Sequence, residues 1–220
     1  MKILIKNYTI IIFYLLFLSC STKKTVWGEK DIANENAIII EYGGQSREYV
    51  IYIPDTYDST QSTPLVMNFH GGSGSATGQM LMTNMTAIAD TVGFLIAFPQ
   101  GTLSNGVSHW NSMLFTEGNK SDIDDIGFIE TLINTLEDNY NIDTSKIYAT
   151  GFSNGADFSY SLACYLNDRF AAIAGVAGLM AEESITYCAP NKNTGIMIIH
   201  GTNDNSRPFN GIDEWYLSVD

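Results

Sequence analysis

Cysteine, basic charge and long apolar runs are all scarce in this sequence, and each scarcity excludes a class of protein. Three cysteines, Cys20, Cys164 and Cys188, are too few and too scattered for a disulfide-stapled mini-fold or a four-ligand zinc cluster. Only 11 Lys and Arg face 24 Asp and Glu, for a formal charge of −13. Such a surface repels a phosphate backbone, so no nucleic-acid partner is expected. No internal repeat and no low-complexity linker interrupts the chain. The uncharged N-terminal run Tyr8–Leu18 is shorter than the roughly 20 residues of a permanent membrane helix. What is present, 45% hydrophobic and 16% charged positions over 220 residues, suits one folded domain with a sizeable core.

The N-terminus carries an address. Lys2 and Lys6 precede Tyr8–Leu18, and the run closes in Leu18-Ser19-Cys20. That is the layout of a secretory signal, and a small residue before a cysteine resembles a bacterial lipobox. The expectation is a signal over residues 1–19, lipidation at Cys20 as the sole membrane contact, a tether over 20–36 and a domain over 37–220. Export gives Cys164 and Cys188, 24 residues apart, the role of a candidate disulfide. Two buried thiols are the alternative.

Along the domain, Ala37–Tyr42 and Arg47–Pro54 flank Gly43-Gly44 and predict a β-hairpin. Short apolar runs at Pro64–Phe69, Phe94–Phe98, Lys146–Thr150, Phe170–Val176 and Gly195–Ile199 predict strands. Helical spacing predicts helices over Thr77–Thr91, Ile126–Tyr140 and Asn154–Leu166. Strands alternating with helices imply an α/β fold, a mostly parallel sheet covered on both faces. Between Pro99 and Asp125 runs a long segment of little periodicity, and segments of that length are often functional. Trp110 within it either lines a substrate cleft or packs the loop down. The acids Asp122, Asp124 and Asp125 lack the regular oxygen spacing of a calcium loop and instead suit the positive end of the following helix, so no metal is expected.

Gly151-Phe152-Ser153-Asn154-Gly155 fits G-x-S-x-G with a predicted strand running in and a predicted helix running out. In that setting a strained turn lifts a serine Oγ out of the sheet, which makes Ser153 the candidate nucleophile. The backbone N–H of Asn154 is one expected oxyanion donor, and Gly72, in His70-Gly71-Gly72-Ser73-Gly74 after an earlier strand, is the other. A phosphate-binding reading of this glycine loop fails for want of a closing Gly-Lys-Ser/Thr. Asp204, at the end of the strand Gly195–Ile199, stands where the acid of a triad belongs. The third member is absent, since the sequence holds only His70, His109 and His200 and none follows Asp204. His70 belongs to the glycine loop, His200 to the acid's own loop, and His109 lies outside the Ser-Asp-His order. Trp215 to Asp220 reads as the start of a helix. The expectation is therefore a chain cut short, with its histidine and its last strand and helix beyond residue 220.

The runs Pro64-Leu-Val-Met-Asn-Phe-His-Gly-Gly72, Ala97-Phe-Pro-Gln-Gly101, Asp124-Asp-Ile-Gly-Phe-Ile129, Tyr140-Asn-Ile-Asp143, Ile147-Tyr-Ala-Thr-Gly-Phe-Ser-Asn-Gly155, Arg169-Phe-Ala-Ala-Ile-Ala174 and Ile199-His-Gly-Thr-Asn-Asp204 resemble, in order, the polyhydroxybutyrate depolymerase/feruloyl esterase family of secreted α/β-hydrolases. The resemblance implies Ser153 as nucleophile, Asp204 as acid, a histidine not found here, and hydrolysis without cofactor or metal. Ala156 stands where relatives commonly have a further glycine. The implied substrate is an ester, either feruloyl or acetyl groups on plant polysaccharide or a hydroxyalkanoate oligomer. The rival is a non-catalytic surface binding protein on an esterase fold, because fold alone does not decide function.

Overall fold

A computed structural model describes residues 37–112, 121–212 and 215–219. The expected signal, tether and lipidated Cys20 lie outside the described residues. Strands β1 (Ile38–Tyr42) and β2 (Gln45–Tyr52) form the predicted hairpin about Gly43 and Gly44, whose φ of 60° and 75° are open to glycine at no steric cost. Then come β3 (Thr63–Phe69), α1 (Ala76–Thr83), α2 (Thr86–Val92), β4 (Leu95–Pro99), β5 (Thr102–Ser104), β6 (Val107–His109), α3 (Asp125–Asn139), β7 (Ile142–Phe152), α4 (Asn154–Tyr165), β8 (Ala172–Val176), α5 (Ser184–Tyr187) and β9 (Gly195–Ile199). The seven-stranded sheet runs β1-β2-β4-β3-β7-β8-β9, antiparallel at β1, β2 and β4 and parallel from β4 onward.

Alternating side chains of the central strands feed two cores. Leu65, Met67 and Ile147 meet Phe128, Leu132 and Phe158 of α3 and α4 on one face, while Ile96, Phe98 and Val50 meet Ala76 and Ala89 of α1 and α2 on the other. Phe69 pairs with Gly151, Phe152 with Val176, and Val176 with Ile199. The loops that follow β3, β7 and β9 therefore leave the sheet at the same, C-terminal end, where open parallel sheets bind ligands.

Three local expectations are corrected. The helix predicted over Thr77–Thr91 is two helices, because Asn84 takes a left-handed φ of 48° and its N–H closes α1 on Met80 O. The long segment after Pro99 contains a two-stranded hairpin, β5–β6, turning at Asn105-Gly106 with φ of 52° and 77°. No helix starts at Trp215, since Tyr216 bridges antiparallel to Ala181 and Ile212, and Leu217 N donates to Met180 O at 2.9 Å. Asp124 caps α3 by accepting from Gly127 N at 2.9 Å and also accepts from Tyr42 OH at 2.6 Å. That bond holds the Tyr42 phenol at a pKa of about 12.

Candidate active site

β7 ends at Phe152, and the chain reverses into α4 through Ser153, whose φ of 52° and ψ of −122° are costly for a residue with a Cβ. Two glycines make the turn possible. A Cβ on Gly151 would lie 2.2 Å from Gly155 O, and one on Gly155 would lie 2.4 Å from Phe69 O. Ser153 N is held by Val176 O at 2.9 Å, and Ser153 O receives Ala156 N at 2.8 Å and Asp157 N at 2.9 Å. Asn154 begins the first turn of α4, where main-chain N–H groups have no acceptor within the helix.

The glycine loop after β3 lies against this turn. A Cβ on Gly71 would come within 3.5 Å of Ser153 Cβ, and one on Gly72 would lie 4.0 Å from Asn154 Cβ. His70 fastens the loop from beneath. Its Nε2 accepts from Gly101 N at 2.9 Å, so the proton sits on Nδ1, which lies 2.7 Å from Gly71 O and donates to it. Burial drives the ring's pKa down to about 4, and the neighbouring His109 adds to the fall. His70 is thus a neutral latch. Gln100 completes the seam, accepting from Ala76 N at 2.9 Å and donating to Gly101 O at 3.1 Å.

Asp204 sits two strands from Ser153, about 10 Å at the usual strand spacing, in the loop after β9. Its Oδ1 accepts from Ser206 N at 2.8 Å and Arg207 N at 2.9 Å, and these bonds hold the carboxyl below its usual pKa. His200 Nε2 donates to Arg207 O at 2.6 Å and lies 3.9 Å from Asp204 Oδ2, while its Nδ1 is buried without a hydrogen-bond partner. His109, the last residue of β6, is buried with Nε2 3.2 Å from Asn111 Oδ1. Among the described residues no hydrogen bond joins any of the three rings to Ser153.

Of the two readings of Trp110 the packing one fits its surroundings: among the described residues it is 2% exposed, stacked on Phe158 with centroids 5.0 Å apart and edge-on to Phe69 at 5.3 Å, so it packs the loop down. Cys164 of α4 and Cys188 after α5 are bonded, S–S 2.08 Å.

Two ion pairs with fully buried carboxylates had no signal in the sequence. Arg47 Nη2 reaches Asp125 Oδ1 at 2.7 Å with the guanidinium 3.8 Å over the Phe128 ring, and Asp125 Oδ2 accepts from Asn111 N at 2.8 Å. Arg207 reaches Asp157 Oδ2 through Nη2 at 2.8 Å and Nε at 3.1 Å, tying the acid's loop to the helix behind Ser153. Their partners stand 78 and 50 residues apart, separations that no helix or strand period links.

Residues 47–206 match the family model described as esterase PHB depolymerase. Among curated proteins the chain is 29% identical over 170 residues to feruloyl esterase C of Emericella nidulans, covering 75% of this chain and 57% of that one. It is 28% identical over 161 residues to the bifunctional acetylxylan esterase/xylanase XynS20E of Neocallimastix patriciarum, covering 73% of this chain and 22% of that one. It thus spans between 22% and 57% of the length of these relatives. Among solved structures, a thermostable esterase superposes with a TM-score of 0.61 at 19% identity over 80% of this chain and 49% of that one. An acetyl xylan esterase from Aspergillus awamori does so with 0.52 at 22% identity over 61% and 47%. These likenesses identify the fold as that of the α/β-hydrolases. With the matched stretch running from β2 through the Ser153 turn to the loop of Asp204, the chain belongs to the esterase PHB depolymerase family.

Proposed function

We propose that this protein is an exported serine esterase that cleaves carboxylic esters through a Ser153 acyl-enzyme. The observation that carries the reading is the Ser153 turn, a strained non-glycine residue on the strand-to-helix junction with the Gly71-Gly72 loop packed against it. Ser153 Oγ would add to the ester carbonyl carbon while its proton passes to a base. The N–H groups of Asn154 and Gly72 would stabilise the resulting oxyanion. The C–O bond to the alcohol then breaks, the leaving alkoxide takes the proton, and water releases the acid in the reverse sequence. Asp204, held ionised by Ser206 N and Arg207 N, would orient the base.

The base is a histidine by family resemblance. His70 and His200 each have a ring nitrogen bonded to main chain, and His109 is buried beside Asn111, so residues 1–220 alone are expected to turn over slowly. The names of the relatives, feruloyl and acetylxylan esterase, favour polysaccharide-linked feruloyl or acetyl esters over hydroxyalkanoate oligomers. Residues 1–19 are read as the export signal, Cys20 as the lipid anchor and 37–220 as the hydrolase domain. The Cys164–Cys188 bridge supports an oxidising compartment.

The test compares methyl ferulate, an acetylated xylo-oligosaccharide and 3-hydroxybutyrate oligomers with the full-length gene product. The first two are expected to be cleaved, and Ser153→Ala should lower kcat by about 10⁴ to 10⁶. A folded full-length protein that cleaves none of them would favour the non-catalytic binding protein.

A further inference from the structure

We propose that Trp110 is a positioning residue that holds both oxyanion-donor segments in register with Ser153, an inference that rests on the acyl-transfer reading above. Trp110 makes three directed bonds to two separate segments. Its backbone N donates to Asn154 Oδ1 at 2.7 Å and its backbone O accepts from Asn154 Nδ2 at 3.0 Å, so the Asn154 side chain clasps it like a strand partner. Its indole Nε1 donates to His70 O at 3.0 Å. The first two bonds fix the residue that opens α4, and the third fixes the residue that opens the glycine loop.

The third bond matters through peptide geometry. His70 C=O and Gly71 N–H belong to one planar trans unit, so fixing the carbonyl aims the N–H in the opposite direction. The next unit, Gly71 C=O with Gly72 N–H, is aimed in the same way by His70 Nδ1 at 2.7 Å and Gly74 N at 3.0 Å. Glycine units have no Cβ to restrict rotation, so bonds of this kind must supply the order the backbone lacks. The indole is itself immobilised, with Phe158 stacked at 12° and Phe69 at 85°. Phe158 lies four residues past Asn154 on the same face of α4. One ring therefore registers β3, the glycine loop and the head of α4 against one another. Oxyanion donors work only when charge develops, and a displacement of about 1 Å is enough to cost about 100-fold in rate.

Trp110→Phe keeps an aromatic ring against Phe158 and removes the indole N–H, together with the volume of the second ring. In the full-length gene product it is expected to lower kcat on an activated short ester by about ten- to a hundredfold, with KM within about threefold of the parent. The inhibition constant of a boronic acid, whose serine adduct carries a tetrahedral oxyanion, should weaken in proportion. Active-site titration separates this from partial unfolding, since kcat is then counted per reactive serine. Asn154→Ala, which cuts the other connection without removing core volume, should give the same pattern and decides the matter if Trp110→Phe does not fold. A folded Trp110→Phe with kcat per titrated site and boronate affinity within twofold of the parent overturns the proposal. Undiminished activity in Ser153→Ala would instead remove the acyl-transfer reading and the Trp110 role with it.

Discussion

His70 shows how far one buried side chain couples this fold to pH. Its folded pKa of about 4 lies below the ordinary 6.5. The unfolded chain therefore binds a proton first as pH falls, and the stability contributed by the neutral ring is complete above 6.5 and lost on acidification through 6.5 towards 4. A gap of that size corresponds to about 3 kcal/mol. His70→Asn, which cannot titrate, is expected to lose about that much less stability than the parent between pH 7 and pH 4, as read from urea unfolding at both values. Equal pH dependence in the two proteins would show that the latch is not neutral. Single residues also mark the limit of what was legible in the sequence. Ser153, Asn154 and the Gly71-Gly72 loop lie beside one another because a G-x-S-x-G turn dictates its own geometry, and Asp204 follows β9 as the strand pattern expects. Trp110 was ambiguous because an aromatic in a long loop looks the same whether it faces a ligand or the core. Only its neighbours Phe69 and Phe158, distant in sequence, distinguish the two.

Elements with a strong period were legible and their joints were not. The strand at Gly195–Ile199 and the helices α3 and α4 follow directly from apolar spacing. The break at Asn84 depends on one left-handed residue inside a run that keeps helical spacing. The β5–β6 hairpin has only its Asn105-Gly106 turn as a sequence signal, because its strands are three residues each and show little alternation. How α4 is tied to the loop of Asp204 has no signature in the sequence, since no helix or strand period links Asp157 to Arg207, 50 residues away. The Asp157 side chain is 0% exposed, and burial pushes its carboxyl pKa up against the pull of Arg207. Arg207→Met strands that carboxylate and is expected to cost about 3–5 kcal/mol in denaturant unfolding. Asp157→Leu with Arg207→Met should cost clearly less than the two single changes added together, because no unpaired charge is left. Strict additivity would mean that the pair is not coupled, and that the acid's loop is held by Asp204's own bonds to Ser206 and Arg207.

At the scale of the whole molecule the layers are unequal. Helices α1 and α2 cover β2, β4 and β3 on their side of the sheet, but among the described residues nothing covers β7, β8 and β9 there, leaving an apolar groove that includes Val66, Met85, Tyr148, Ala174 and Met197. Among the described residues β9 is the sheet's last strand, and it carries neither charge nor proline, with Ile196 49%, Met197 60%, Ile198 46% and Ile199 52% exposed. Since successive side chains point to opposite faces, exposure of all four means that both faces of this strand are wet. An unpaired apolar edge of this kind is a template for association between chains. Against it stands the formal charge of −13, whose repulsion reaches about 10 Å at 0.1 M salt and only about 3 Å at 1 M. Two forces of opposite salt dependence give a directional prediction for the 220-residue chain. It should bind the dye ANS and remain dispersed at low ionic strength, then self-associate as salt is raised, followed by light scattering. Met197→Lys with Ile198→Lys places one charge on each face of β9 and is expected to suppress both the dye binding and the salt-driven association. A chain that stays monomeric and dye-free up to 1 M salt would mean that this face is not open in solution.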